Sequence, residues 1–424
     1  MITKKALLLS LIPIIIVGVY LFRFGVNVPF WDQWEVVPLL MKKYAGALSA
    51  SDLFAQHNEH RPFFPRLIWI TLAGFTHYNV NVELWANFVI ALGTFCFFVN
   101  RAIKTWNKMG MSTSPLLIPL MSLLVFNLGQ RDSWLQGYQL VMYLGVAGVV
   151  IGLFLLAEDS SRGGFFAAVI LGIVTTYSMA DGLIYWFVGL AVLAITASNK
   201  WKVLKFLLWI VVGTLSIGLF LHGWAPWTPV DPTYPISHPI ESYFWILNFL
   251  GAPVMTLWPL AWIFGTTSIG LYLLVAESIE GTNQWRQLIP YFAIALYILL
   301  ASFSICVGRM TMGVEQSSAP RYLTLSVWYW MSLLALLPQV QMKQIYKRVL
   351  YGILTTSLVV LTIYGGWRGY ANFYQRMLPA YVAVHSGQTV SDSVLARIFP
   401  YPDMARPWLQ FLCDHKLSAC TGGG

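Results

Sequence analysis

The sequence predicts an all-α, polytopic membrane protein, and three observations support that fold class. First, 58% of the 424 residues are hydrophobic and 10% are charged, whereas soluble domains carry about 45–50% apolar and about 25% charged residues. Second, the apolar residues gather in runs long enough to cross a bilayer. Third, basic residues concentrate between those runs on one predicted side. The composition excludes a cytosolic enzyme, a disordered protein and a nucleic-acid-binding protein, despite the formal net charge of +9.

Eleven runs predict membrane-spanning helices, because about 20 apolar residues cross about 30 Å of hydrocarbon. The first run follows Lys4 and Lys5, as in a signal peptide, but no small-residue cleavage site precedes Arg23. We therefore interpret it as a retained first helix. The predicted spans are 6–22, 82–99, 115–128, 138–157, 165–179, 183–197, 204–221, 257–276, 288–307, 322–340 and 349–367.

The distribution of charge predicts the orientation of these spans. With the N-terminus in the cytoplasm, 13 of the 26 Lys and Arg residues fall in the short inside segments, and 13 of the 17 acids fall outside. Cationic loops are retained on the cytoplasmic side. We therefore expect a cytoplasmic N-terminus and, after eleven spans, an external C-terminus. The inside segments are too short for a nucleotide-binding domain, so the working face is expected outside.

The predicted organisation is a transmembrane catalytic domain over residues 1–367 and an external, periplasmic tail over residues 368–424. The first external loop, residues 23–80, holds the densest polar chemistry. Residues 35–44 and 67–75 within it are apolar but too short to span, which predicts helices lying at the membrane interface.

The tail is too short for a sizeable core. Residues 368–385 are expected to continue the last span as an external helix. Cys413 and Cys420 are close enough in sequence for a disulfide, if the tail lies in an oxidising compartment.

Two acids follow the first span closely. Asp32 and Glu35 are three residues apart, so on a helix they share one face. Asp32 either caps a helix or has a chemical task. Trp31 and Trp34 flank it, and an acid between bulky aromatics is costly without a partner or a role.

A second polar group in this loop combines histidines, an acid and two arginines. His57, Glu59 and His60 suggest a zinc site, but their spacing matches neither zinc-protease helix pattern, so no metal is predicted. We expect Arg61 to belong to a binding site and Arg66 to reach the lipid headgroups.

Further candidates lie in later external segments. Arg309 and Arg321 flank a Gly-rich connection, and Arg321 opens a helix, which favours an anion site over a loop that merely touches lipid phosphates. Asp181 lies at the outer end of a span, where it is either a functional residue or a helix cap. Arg131 and Asp132 are expected to pair with neighbours.

These residues resemble the GT-C superfamily of membrane glycosyltransferases, in particular bacterial enzymes that modify O-antigen or other surface glycans. The resemblance rests on one span followed by a long external loop with an acid close behind it and two interfacial helices, a layout that extends over the first 366 residues. The motifs are 30–35 (Phe-Trp-Asp-Gln-Trp-Glu), 57–61 (His-Asn-Glu-His-Arg) and the ends of 308–322 (Gly-Arg and Ser-Ala-Pro-Arg-Tyr). An adjacent acid pair, found in some members, is absent here.

The resemblance implies transfer of a hexose or pentose from a polyprenyl-phosphate donor to a hydroxyl of a surface or lipid-linked glycan, at the periplasmic face of a bacterial inner membrane. Transfer is expected to invert the anomeric centre, without a cofactor or metal and without nucleic acid. The implied base is Asp32, with Glu59 and Glu35 as substitutes; the implied substrate-binding residues are Arg61, His60, Arg309, Arg321, His57, Tyr322 and Asp181.

The alternative is a transporter or flippase of a lipid-linked or glycan substrate. Transporters bind ligands near the bilayer midplane on broken helices, within repeated halves. This sequence has no evident repeat and carries most of its acids outside, which favours the enzyme.

Overall fold

The computed structural model describes residues 4–158, 161–196, 201–226, 231–281 and 285–422. Within these ranges the regular structure is helical, with one isolated β-bridge between His57 and His60, so the predicted all-α class is confirmed. The α-helices are α1 (Lys4–Phe24), α2 (Val37–Tyr44), α3 (Ala50–Phe54), α4 (Phe63–Thr76), α5 (Val80–Lys108), α6 (Leu117–Val125), α7 (Arg131–Trp134), α8 (Leu140–Glu158), α9 (Arg162–Thr176), α10 (Gly182–Thr196), α11 (Lys202–Leu221), α12 (Tyr234–Ser237), α13 (Pro239–Gly251), α14 (Trp258–Ile279), α15 (Trp285–Arg309), α16 (Pro320–Leu336), α17 (Gln344–Gly369), α18 (Gln375–His385), α19 (Asp392–Ile398) and α20 (Pro402–Asp414).

Seven helical segments in the described chain are long and apolar enough to cross a membrane. They are α1, α5, α8, α11, α14, α15 and a continuous run of 42 residues, Gln344–His385, that joins α17 to α18. Helices α4, α9 and α10 are also apolar but shorter. The chain is therefore a polytopic helical protein, while the total of eleven spans stays a prediction.

The third predicted span, 115–128, forms a shorter helix than expected. Helix α6 has nine residues, or about 14 Å at 1.5 Å per residue. It stops because Asn127 makes local and long-range bonds that compete with helix continuation. The Asn127 side chain accepts from the Gly129 amide at 2.7 Å and donates to the Leu358 carbonyl at 2.8 Å.

Close helix contacts depend on small residues. A Cβ at Gly251 of α13 would overlap the backbone of Ala261 in α14, and one at Gly265 of α14 would overlap the backbone of Leu247 in α13. Glycine at both positions lets the two helix backbones touch, as is usual in membrane helix pairs.

The two ends of the long helix α5 lie near different connecting segments. This helix has 29 residues, which corresponds to about 43 Å. Near its C-terminal end, Arg101 pairs with Glu158, and the Trp106 indole donates to the Ala335 carbonyl at 2.8 Å. Its N-terminal end joins the first loop, where the polar candidates lie.

Helices form in both segments predicted to lie at the membrane interface, as α2 and α4. The tail is also helical, as expected for residues 368–385, with α17 continuing through a π-helical turn into α18. The predicted disulfide between Cys413 and Cys420 is formed.

The tail completes its small core by packing on the first loop. The Trp34 ring lies 6.3 Å from the Phe399 ring. The Ser418 amide donates to the His77 carbonyl at 2.8 Å, and its hydroxyl donates to the Asn27 carbonyl at 3.1 Å. The tail therefore holds the loop that carries Asp32, and its apolar residues are buried jointly with that loop.

Candidate functional site

Asp32 and Glu35 lie on a 3₁₀ helix, Trp31–Val36. Such a helix has three residues per turn, so these two acids fall on the same face, as their spacing predicts. Gln33 and Trp34 between them are buried and anchor the turn, which leaves both carboxyl groups only partly buried.

The backbone is strained on both sides of the acids. Trp31 has φ +50° and Asn58 has φ +48°, in the left-handed region that bulky side chains avoid. Trp31 directly precedes Asp32, and Asn58 is at the tip of the turn that carries Glu59. Strain of this kind is concentrated at functional sites, where the surrounding packing maintains it.

A tight turn presents the two histidines. The His57 and His60 backbones exchange two hydrogen bonds of 2.9 Å. The Ala180 amide donates to His60 Nδ1 at 2.9 Å, so the ring proton of neutral His60 is on Nε2. Burial lowers the pKa of His60 to about 4 and that of His57 to about 4. Both rings are therefore neutral at pH 7.

Glu59 pairs with a residue 250 positions away. Arg309 Nη2 donates to Glu59 Oε2 at 2.8 Å, and the two side chains are 17% and 20% exposed. The second oxygen, Glu59 Oε1, is buried and has no hydrogen-bond partner among the described residues. The pair thus joins the first loop to the end of α15 and leaves one acceptor unused.

Asp32 lies within electrostatic reach of this group. Burial raises the pKa of the Asp32 carboxyl, whereas Arg321, His60 and Arg309 lower it and Glu59 raises it further. Glu35 is also affected: burial and the charge of Asp32 raise its pKa. The structure therefore brings Asp32, His60 and Glu59 of the first loop together with two arginines from distant helices.

Asp181 is buried in the turn between α9 and α10, next to the amide that binds His60. Burial, followed by the charge of Glu59, raises the pKa of Asp181 to about 7. This acid is therefore adjacent to the same cluster and is half protonated near neutral pH.

Arg321 opens α16, directly after Pro320 at the first helical position. Its guanidinium lies over the Tyr322 ring, 4.9 Å from the centroid, and Nη2 is 3.4 Å from the Tyr322 hydroxyl. Tyr322 thus orients the arginine, and the helix start adds positive potential at the same place.

Arg61 makes its described hydrogen bonds to backbone carbonyls, and its expected role at the donor phosphate stays a prediction. Its guanidinium donates to the carbonyls of Phe220 at 2.7 Å, His222 at 2.5 Å and Phe54 at 3.2 Å. The side chain is buried. These bonds tie the first loop to the end of α11, so Arg61 is a positioning residue.

The expectation that Arg66 reaches the lipid headgroups is wrong. Its side chain is buried, and Nη1 donates to the carbonyls of Leu53, at 3.0 Å, and Ala55. Arg66 therefore stabilises the loop that follows α3.

Sequence reasoning missed a second polar group next to Arg321. Arg131 Nε lies 3.8 Å from Asp132 Oδ1, which agrees with the predicted pairing. Burial raises the pKa of Asp132, and Arg131, Arg321 and Arg368 lower it. Arg131 and Arg368 each have a buried Nε without a hydrogen-bond partner in the described chain. Arg131 and Asp132 lie on α7, whereas Arg321 lies in the first turn of α16 and Arg368 in the last turn of α17, so no sequence spacing could reveal the whole group.

No group of three or more His, Cys, Asp or Glu side chains suited to a metal ion occurs in the described part of the chain. Comparison with known protein families, characterised proteins and solved structures finds no match.

Proposed function

We propose that this chain is a membrane glycosyltransferase that moves a sugar from a polyprenyl-phosphate donor to a glycan hydroxyl. The proposal depends mainly on one observation: a partly buried carboxyl group, Asp32, lies within electrostatic reach of Arg309 and Arg321 beside a neutral histidine. A base and fixed cations in one site are what acid–base chemistry at a phosphate leaving group requires.

Asp32 is the proposed general base. It takes the proton of the acceptor hydroxyl as that oxygen attacks the anomeric carbon. The bond from that carbon to the phosphate oxygen breaks at the same time, and polyprenyl phosphate leaves. The raised pKa of Asp32 makes its carboxylate a stronger base than an exposed aspartate.

Arg309 and Arg321 are the proposed partners of the departing phosphate. Both cations are held in place before substrate arrives, Arg309 by Glu59 and Arg321 by Tyr322. Fixed cations need no reorganisation during the reaction, which is the main source of electrostatic stabilisation in enzymes. The neutral His60 is a hydrogen-bond donor through Nε2.

The contacts of Glu59 and Glu35 favour Asp32 over these two acids as the base. One oxygen of Glu59 is engaged by Arg309, which favours a positioning role for Glu59. Glu35 lies beside Asp32, but its pKa is raised partly by that neighbour, so one of the two carries most of the negative charge. A single base with direct attack inverts the anomeric centre.

The proposal includes the eleven-span topology, with the site at the periplasmic face of a bacterial inner membrane. Contacts among the segments predicted to lie outside support it. Trp224 Nε1 donates to the Glu59 carbonyl at 3.2 Å, Ala180 contacts His60, and Ser418 of the tail contacts His77. Arg101 and Glu158, both predicted inside, pair toward the other end of α5.

The test is Asp32→Asn in purified protein, assayed for sugar transfer from a lipid-phosphate sugar. We expect transfer to fall by about 10²–10⁴-fold, because the amide keeps the size of the side chain but cannot take a proton. Donor binding should persist, which separates an enzyme from a transporter.

Asp403→Asn is the matched control. Asp403 is an exposed acid in α20 of the tail, and its loss should leave transfer unchanged. Full activity of Asp32→Asn would refute the base assignment.

A further inference from the structure

A cavity of about 660 Å³ lies away from the candidate site, beside the C-terminal end of α5. One wall is the segment that enters α6, including Ser114 and Leu117. The other is the first turns of α17, including Lys347, Arg348 and Tyr351. Helix α17 begins, at Gln344, a run that is long and apolar enough to cross a membrane, so the cavity lies where that run would enter the bilayer.

The lining of this cavity is cationic. Lys347 and Arg348 are its charged residues, and the described residues around it include no acid. Neither cation forms an ion pair within the described chain. Six hydroxyl side chains add hydrogen-bond donors: Ser112, Thr113, Ser114, Tyr351, Thr355 and Thr356.

The cavity is charged at one end and reaches toward apolar surface at the other. Thr355 lies eight residues beyond Lys347 on α17, a rise of about 12 Å. Leu116 and Ile353 are exposed beside it. A Cβ added at Gly352, in the lining, would meet no atom within 4 Å, so this part of the wall faces open space.

We propose that this cavity binds an anionic phospholipid. The phosphate headgroup lies between Lys347 and Arg348 at the membrane surface, where the start of α17 adds a favourable dipole. An acyl chain follows the helix past Gly352 toward Thr355. A soluble anion would use the cations but not the exposed apolar surface at Leu116 and Ile353. This site is separate from the proposed sugar-transfer site.

The experiment measures lipid retention by native mass spectrometry. Purified full-length protein is exchanged with phosphatidylglycerol or phosphatidylcholine, and bound copies are counted. We expect phosphatidylglycerol to be preferred. Lys347→Gln with Arg348→Gln should weaken that binding about tenfold or more, because the headgroup phosphate loses its direct hydrogen bonds to both lining cations.

Gly352→Leu provides an independent test, since the added side chain fills open space on the helix surface and leucine favours helix. It should displace the lipid while both cations remain. The matched control is Lys343→Gln with Arg286→Gln, which removes two basic residues that do not line the cavity. This control should retain wild-type binding.

Three results would overturn the proposal. The first is equal retention of the two lipids by the wild-type protein. The second is unchanged phosphatidylglycerol binding in both cavity variants. The third is displacement of the lipid by millimolar inorganic phosphate, which would assign the cavity to a soluble anion.

Discussion

The pair between Glu59 and Arg309 allows the role of Glu59 to be measured. If Glu59 only positions Arg309, replacing it should matter only while Arg309 is present. We therefore expect Glu59→Gln and Arg309→Gln to be non-additive in a double-mutant cycle. The N–O distance of 2.8 Å and the low exposure of both side chains give this bond about 1.5–3 kcal/mol, the range for hydrogen bonds to charged groups. That corresponds to about 10–150-fold in apparent donor affinity.

The assay measures transfer rate and donor affinity for the wild type, both single variants and the double variant. Glu59→Gln should weaken donor affinity in the wild-type background and have little further effect beside Arg309→Gln. If Glu59 were the base, its loss would reduce transfer by about 100-fold or more in either background. That additive result would refute the positioning role of Glu59 and make Glu59, in place of Asp32, the base.

The pH dependence of sugar transfer gives a second measurement on Glu59→Gln. The charge of Glu59 raises the pKa of Asp32 and of Asp181. Removing that charge lowers both pKa values, so the acid limb of the transfer profile should move to lower pH. A merely structural loss would reduce the rate without moving the limb.

Two further predictions concern the surroundings of the site. The pKa of Asp181 is about 7 in the fold against 3.8 for the free side chain; between these values the folded state keeps a proton that the unfolded state has lost. The free energy of unfolding should therefore fall as pH rises from about 4 to 7, by up to about 4 kcal/mol. In melting curves, Asp181→Asn should reduce this dependence on pH. An unchanged dependence would contradict the prediction. Arg61→Ala should destabilise the first loop by about 2–4 kcal/mol, because it leaves the Phe220 and His222 carbonyls without their donor. Limited proteolysis and melting curves would detect this loss, and Arg61→Lys should not restore stability. Wild-type stability of Arg61→Ala would disprove the positioning role.

The local features of this protein could be predicted from its sequence. Apolar run length predicts helices because hydropathy and backbone hydrogen bonding act over neighbouring residues. The spacing of Asp32 and Glu35 predicted their common face, and the proximity of Cys413 and Cys420 made a bridge between them plausible, which the structure contains. The span predicted over 115–128 was nevertheless longer than helix α6. The helix ends before Asn127, whose side chain bonds to the Leu358 carbonyl, and that partner lies on a helix more than 200 residues away.

The sequence alone thus determined a polytopic helical protein, with most of its acids in segments predicted to be external. Only the tertiary structure decided which of these residues act together. Arg61 and Arg309 are equally plausible phosphate partners by residue type, yet Arg61 donates to three backbone carbonyls whereas Arg309 pairs with Glu59. The physical reason is that burial and Coulomb interaction depend on distance in space, and the fold brings together groups that are hundreds of residues apart.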